Sequence, residues 1–150
     1  MSHVRGQILI DRAVEDVFDF VADERNEPTY NPAMVDVQKL TEGPVGPGTR
    51  YAATVISRGR PVEMLIETTS YVRPTALSST TSMAWAHICG TLTFEPVGGR
   101  TRMAWDWDVV PVGVARLLGP VVGLVGRRQE AAIWTQLKQV LERSGRDGCP

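Results

Sequence analysis

The chain carries few of the side chains that usually do chemistry. It has two histidines, His3 and His87, and two cysteines, Cys89 and Cys149. His87 and Cys89 form an H-x-C pair on one strand face. With no third ligand beside them, no metal site is expected. The loop "GPVGPG" (43–48) follows a strand, but it opens no helix and has no lysine, so it is not a phosphate-binding loop. A G-x-S-x-G nucleophile elbow is absent, and no cofactor is expected. Among acid–base groups, His87 is the natural base. Strand parity puts it on an outer face, diagonal to Asp108, and only a bulge would turn it inward. Asp106 and Asp108 alternate with tryptophans and should face solvent, as should Glu63 and Glu67. Arg116 sits in an apolar stretch. It either snorkels to water or marks a cavity rim, binding a carboxylate or polarising a carbonyl.

Composition narrows the classes. The 150 residues fit one domain with a sizeable core. With 43% hydrophobic and 22% charged residues, a soluble globular chain is the default. The net charge of -1 and the lack of a basic stripe argue against a nucleic-acid partner. Cys149 lies in the polar tail "SGRDGCP", so a disulfide framework is not expected and a reducing cytoplasm is the simplest setting. The start "MSHVRGQILI" lacks the apolar core of a signal peptide.

The elements that must position these residues follow from hydrophobic spacing. "VRGQILI" (4–10) reads as a strand. "AVEDVFDFVADE" (13–24) has Val14, Val17, Phe18 and Val21 at helical spacing, with Glu15 and Asp16 at the positive end of the dipole. Pro28 and Pro32 break that helix, leaving room for one short helical turn. Six strands follow, over 34–40, 50–57, 62–71, 76–83, 87–96 and 101–110, joined by hairpin-like turns. "RRQEAAIWTQLKQVLERSG" (127–145) is an amphipathic helix, with Ile133, Leu137, Val140 and Leu141 on one face and Gly145 available to end it. Segregated strands and helices mean α+β. The prediction is a curved antiparallel sheet wrapped around the last helix, as a single domain over 1–145 with 146–150 as a disordered tail.

The Gly98–Gly99 turn sets a register. Phe94 then faces Met103, Leu92 faces Trp105, Gly90 faces Trp107 and Ile88 faces Val109, all on one apolar face. Gly90 opposite Trp107 leaves room above the sheet. Either the indole fills it, or Trp105 and Trp107, with Met64 and Met103, wall a cavity for an apolar guest.

The stretch "GVARLLGPVVGLVGRRQE" (113–130) is greasy yet rich in glycine. Its uncharged run is too short to span a membrane, and no transmembrane segment is expected. Pro120 should kink or break the chain within 116–121, with the main helix starting near Pro120 and the glycines marking the pocket mouth.

The run "ILIDRAVEDVFDFVADERNEPTYNP", the loop "GPVGPGTRY", the hairpin "FEPVGGRTRMAWDWDV" and the ending "RRQEAAIWTQLKQVLE" together, in order and spacing, resemble the SRPBCC superfamily. Within it the chain is similar to the polyketide cyclase/dehydrase and lipid-transport group. The resemblance implies a START and Bet v 1-like helix-grip fold, with about seven antiparallel strands gripping a long C-terminal helix over a deep cavity. It implies a small hydrophobic partner. Some members carry or sense lipids and hormones; others cyclise or dehydrate polyketides using an Arg, Tyr, His or acid inside. Here the candidates are His87, Arg116, Tyr30 and Tyr51, none with an evident partner. The expected function is binding of a hydrophobic or amphipathic ligand among Val62, Met64, Ile66, Ile88, Leu92, Phe94, Met103, Trp105, Trp107, Arg116 and the last helix. The alternative is a cyclase/dehydratase-type enzyme, with Arg116 or a tyrosine polarising a carbonyl and His87 moving a proton. Oligomeric state is left open.

Overall fold

The computed structural model describes residues 2–113 and 119–147. Its elements are β1 (Ser2–Ile10), α1 (Val14–Ala22), a 3₁₀ helix (Glu24–Thr29), β2 (Met34–Lys39), β3 (Arg50–Ser57), β4 (Arg60–Val72), β5 (Ala76–Met83), β6 (Ala86–Val97), β7 (Arg100–Pro111) and α2 (Gly119–Asp147). The seven strands form one antiparallel sheet in the order β1-β7-β6-β5-β4-β3-β2. Each strand from β2 to β6 pairs with its successor, and β1 returns to the far edge beside β7. This is the α+β helix-grip architecture expected from the segregated pattern.

Turn chemistry sets the hairpins. Arg58 and Gly59 both have positive φ, 53° and 75°, which makes a two-residue turn whose twist suits the flanking strands. Gly98 and Gly99, at 55° and 84°, do the same between β6 and β7. The resulting register is the one the Gly-Gly turn implies: Phe94 opposite Met103, Leu92 opposite Trp105, Gly90 opposite Trp107 and Ile88 opposite Val109. A bulge at Thr69 adds one residue to β4, so Thr68 and Tyr71 both turn inward although three residues apart. Tyr71 thereby meets Phe18 of α1 edge-on, with ring centroids 5.1 Å apart, and Phe94 meets Phe18 at the same distance.

The helices differ from expectation at their ends. α1 stops at Ala22, and the acidic run beyond it winds into the 3₁₀ helix. There the Asp23 carboxylate accepts the Arg25 N–H at 3.1 Å, and the Glu27 carbonyl accepts the N–H groups of Tyr30 and Asn31. α2 begins at Gly119, so Pro120 falls in its first turn, where a missing N–H goes unneeded. At its far end α2 runs two residues past Gly145, within the ordinary fraying of a helix terminus. Of the expected chain break within 116–121, residues 116–118 lie outside the described residues, and 119–121 are the start of α2.

α2 packs chiefly against β1. Three bonds pin its C-terminal half there: Lys138 Nζ donates to the Leu9 carbonyl at 2.8 Å, Arg12 Nη1 to the Leu141 carbonyl at 2.8 Å, and the Asp11 N–H to Glu142 at 3.0 Å. Among the described residues the buried core divides in two. The larger cluster joins α1, α2, β1, β6 and β7 around Phe18, Met103, Trp105 and Leu137. The smaller one lies at the β2–β4 end, around Met34, Tyr51, Ala53 and Ile66.

Candidate functional site

Strand alternation sends every expected lining residue of β4, β6 and β7 to the inner face. Ile66, Leu92, Phe94, Met103 and Trp105 are buried there, whereas Val62, Met64, Ile88 and Trp107 stay half-buried. Between the two core clusters the inner face of β5 carries Ser79 and Thr81, opposite Gly90 and Ile88. The middle strand thus presents small hydroxyl side chains inward, where its neighbours present larger apolar ones.

Two glycines place the tryptophans. A Cβ on Gly90 would stand 2.6 Å from Cε3 of Trp107 and 2.0 Å from the Asp106 carbonyl oxygen. A Cβ on Gly6 would stand 2.4 Å from the Trp105 ring. Each indole therefore lies flat across a neighbouring strand where only glycine fits. Trp105 continues into Trp134 of α2, centroids 5.9 Å apart, and Trp134 into Tyr30 at the same spacing.

This aromatic row ends at a carboxylate. Glu130 of α2 accepts the Trp134 indole N–H at 2.6 Å and the Trp107 indole N–H at 3.2 Å, both on Oε2. Burial pushes the Glu130 carboxyl up to about 7; nearby Glu27 pushes it the same way, and the two indole donors hold it back. Glu24 and Glu27 of the 3₁₀ helix face it. Glu24 is raised well above the usual carboxylate range, first by burial, then by Glu27, Asp23 and Glu130. Glu27 also accepts Asn31 Nδ2 at 3.0 Å.

Tyr30 is one of the four polar candidates named from sequence, and it joins this group. Only 2% of it is exposed, and its phenol is raised well above its usual value, first by burial, then by Glu27, Glu24 and Glu130. Tyr51 is fully buried in the smaller cluster. Its hydroxyl stands near the Glu24 backbone without closing a hydrogen bond, and burial raises it to about 12. His87 takes the outer position that parity assigned: it is exposed, and its ring lies 3.3 Å from Ser82 Oγ on the same outer face. No bulge in β6 turns it inward, so it cannot serve the interior as a base. Arg116 lies outside the described residues. Asp106 and Asp108 face outward and engage His3 at 2.8 and 2.5 Å.

Sequence reasoning misses Glu130, Glu24 and Glu27. A signal for the first is present. Glu130 precedes Ile133, Trp134, Leu137 and Leu141 at helical spacing, so it stands on the apolar face of its own helix, where an acid needs a reason.

Elsewhere, two grooves of about 580 and 550 Å³ lie along β2–β5 and the β5–β6 turn. They present outward side chains such as Thr54 and Glu63, and neither includes the carboxylate group. Among the described residues no helix is long and apolar enough to cross a membrane.

Comparison with known proteins agrees with this architecture. A START superfamily protein from Mycobacterium smegmatis superposes with a TM-score of 0.83 at 15% identity, over 95% of this chain and 99% of its own. The Zhui aromatase/cyclase from Streptomyces sp. R1128 gives 0.81 at 16% identity, over 95% and 94%. TTHA0849 from Thermus thermophilus gives 0.78 at 18%, over 91% and 94%. At these identities the likeness is one of fold. No curated protein matches the chain in sequence. The family model described as polyketide cyclase / dehydrase and lipid transport matches residues 1–142, and the chain belongs to that family, within the SRPBCC superfamily.

Proposed function

We propose that the protein binds a small hydrophobic or amphipathic molecule in the space between the sheet and α2. The observation that carries this reading is the division of the core among the described residues. Ile88 and Trp107 border one cluster and Met64 and Val55 the other, and all four stay half-buried on the inner face. A fully packed interior of this fold would join the clusters into one contiguous core. Covering about 200 Å² of apolar ligand surface contributes roughly 5 kcal/mol before the costs of association. Few polar contacts are then needed. Tryptophan emission is the direct readout, because Trp105, Trp107 and Trp134 all border the space. A panel of fatty acids, sterols and aromatic polyketides should produce saturable changes for at least one class. Silence across the panel, together with a crystal structure showing the interior filled by side chains, would remove the reading.

A second reading is supported by Glu130. A carboxyl pushed up to about 7 can both take and return a proton near neutrality. Beside the Tyr30 hydroxyl it could take a proton from the carbon next to a ligand carbonyl and return one to a departing hydroxyl, releasing water. That is the chemistry of a cyclase/dehydratase-type enzyme. Turnover of an aromatic polyketide that survives in both Glu130→Gln and Tyr30→Phe would exclude these groups from it.

A further inference from the structure

Seven large hydrophobic side chains are exposed among the described residues, and four of them collect at one end of the sheet. They are Val35 of β2, Ile56 of β3, Trp85 of the β5–β6 turn and Val110 of β7, each between 39 and 57% exposed. The antiparallel order brings them there: the start of β2, the β3–β4 and β5–β6 turns and the end of β7 all lie at that end. The Ile56 N–H donates to the Ala33 carbonyl at 2.8 Å, which holds the start of β2 alongside β3. Ile56 pairs with Pro61, and Pro61 and Trp85 line the same groove of about 550 Å³ between the two turns. Val110 pairs with His87, and the Trp85 carbonyl accepts the Val112 N–H at 2.9 Å. Apolar side chains scattered singly over a surface are ordinary, whereas a group gathered from four elements marks an interaction surface.

The charges at this end are ordered along the strands. Arg58 and Arg60 stand on the β3–β4 turn, both exposed, and no pair of the ladder lies beyond Arg60 and Ser57. None of the ion pairs among the described residues engages either arginine. The sequence from Val112 to Arg127 holds no acid. Asp36 and Glu63 are set back toward the middle of the sheet, both in register with Thr54. Asp106 and Asp108 are engaged by His3 and Arg5. A flat negative surface approaching this end therefore meets the two cations and the apolar tips before any acid. An exposed indole suits such a boundary, since its body is apolar and its N–H can face water or headgroups. A nucleic acid is the poorer fit, because two arginines make no stripe that follows a phosphate backbone.

We propose that this end of the sheet docks on an anionic lipid surface. Val35, Ile56, Trp85 and Val110 enter the headgroup layer, and the Arg58 and Arg60 guanidinium groups donate to lipid phosphates. Two basic side chains and a few apolar tips give reversible, salt-sensitive attachment rather than insertion. The proposal stands apart from the ligand-binding reading, because none of these side chains is among those that border the interior space.

Sedimentation with vesicles tests it, using phosphatidylcholine alone and phosphatidylcholine with about 30 mol% phosphatidylglycerol. Each arginine at the surface is worth about fivefold, so the protein should partition to the anionic vesicles about 25-fold more strongly than to the neutral ones. That preference should disappear as salt rises to about 0.5 M. Arg58→Asn combined with Arg60→Gln should remove the same 25-fold, Asn being tolerant of the positive φ at position 58. Trp85→Ala should weaken binding about 10-fold. Arg100→Gln, on the β6–β7 turn at the opposite end, should leave it unchanged. Bromine on the acyl chains should quench part of the tryptophan emission of the unaltered protein and none of that of Trp85→Ala, because the other three tryptophans are buried or half-buried. No sedimentation with either vesicle, equal binding to both, or full binding by the double arginine variant overturns the docking surface and leaves the ligand-binding reading untouched. Should the double variant fail to fold by circular dichroism, Arg60→Gln alone takes its place, with a loss of about fivefold expected and no loss overturning the proposal.

Discussion

Replacing Glu130 with Gln keeps the shape of the side chain and an oxygen for the two indole donors, but removes the ability to ionise. The consequence can be worked from the structure. The Glu130 carboxyl rises from 4.5 to about 7, and that net rise already includes the indole bonds at 2.6 and 3.2 Å, which favour the charged form. Each tenfold in proton affinity is worth about 1.4 kcal/mol, so a rise of about 2.5 decades amounts to roughly 3 kcal/mol. The sign follows from which state binds the proton more tightly, and here it is the folded one. Stability from this group is fully present below the unfolded value of 4.5 and is lost as pH rises through about 7. The wild-type chain should therefore weaken across that window, and Glu130→Gln should not share this part of the loss. Below the window the two proteins should match. Above it the variant should be more stable by up to roughly 3 kcal/mol, or about 6–12 °C in Tm for a domain of this size. Urea unfolding at a series of pH values, read by far-ultraviolet circular dichroism, measures the difference directly. Glu24 keeps its burial and its Glu27 and Asp23 neighbours in both proteins, so only the part of its rise that comes from Glu130 enters the difference. A stability difference that does not change with pH would refute the assignment of Glu130 as a carboxyl whose burial raises its proton affinity.

The other expectations concern the framework. Gly90→Ala sets a methyl group 2.0 Å from a backbone oxygen that cannot step aside, so it should cost about 2–3 kcal/mol and disturb Trp107 emission; unchanged stability would contradict the register. Phe18→Ala empties the centre of the larger cluster and should cost about 3–5 kcal/mol in chemical denaturation. His87→Ala alters an exposed outer-face ring, so stability should move by less than about 0.5 kcal/mol and ligand affinity should not move at all. A loss of binding in that variant would return His87 to the site.

The fold was legible because its information is local. The strands from β3 to β7 are joined by connections of two or three residues, and one Gly-Gly turn determines which side chains of β6 and β7 face inward. Trp107 over Gly90 follows from that register alone. The bulge at Thr69 was not legible: nothing in "IETTSY" distinguishes Thr69 from its neighbours, and the extra residue is justified only by Tyr71 reaching Phe18 of another element. The polar site was harder still. Glu24 and Glu130 are more than a hundred positions apart, and they meet because α2 lies across the sheet near the 3₁₀ helix, a tertiary fact with no local marker.

Glu130 nevertheless shows how such a site can be sought from sequence. On α2 the positions 130, 133, 134, 137 and 141 share a face, and four of them carry Ile, Trp, Leu and Leu, all buried or half-buried. An acid at the fifth position works against burial, since an ionised carboxylate in the interior costs several kcal/mol unless it is paired. Stability alone would favour a leucine there. Two indole N–H groups reach that carboxylate from different elements, and neutral donors soften the cost of the charge without cancelling it, as its rise to about 7 records. A side chain kept at the edge of ionisation is suited, on the ligand-binding reading, to a guest that arrives with a charge or a proton to exchange. The helix thus gives up stability at Glu130 and restores it further along, where Leu137 and Leu141 close against the larger core cluster.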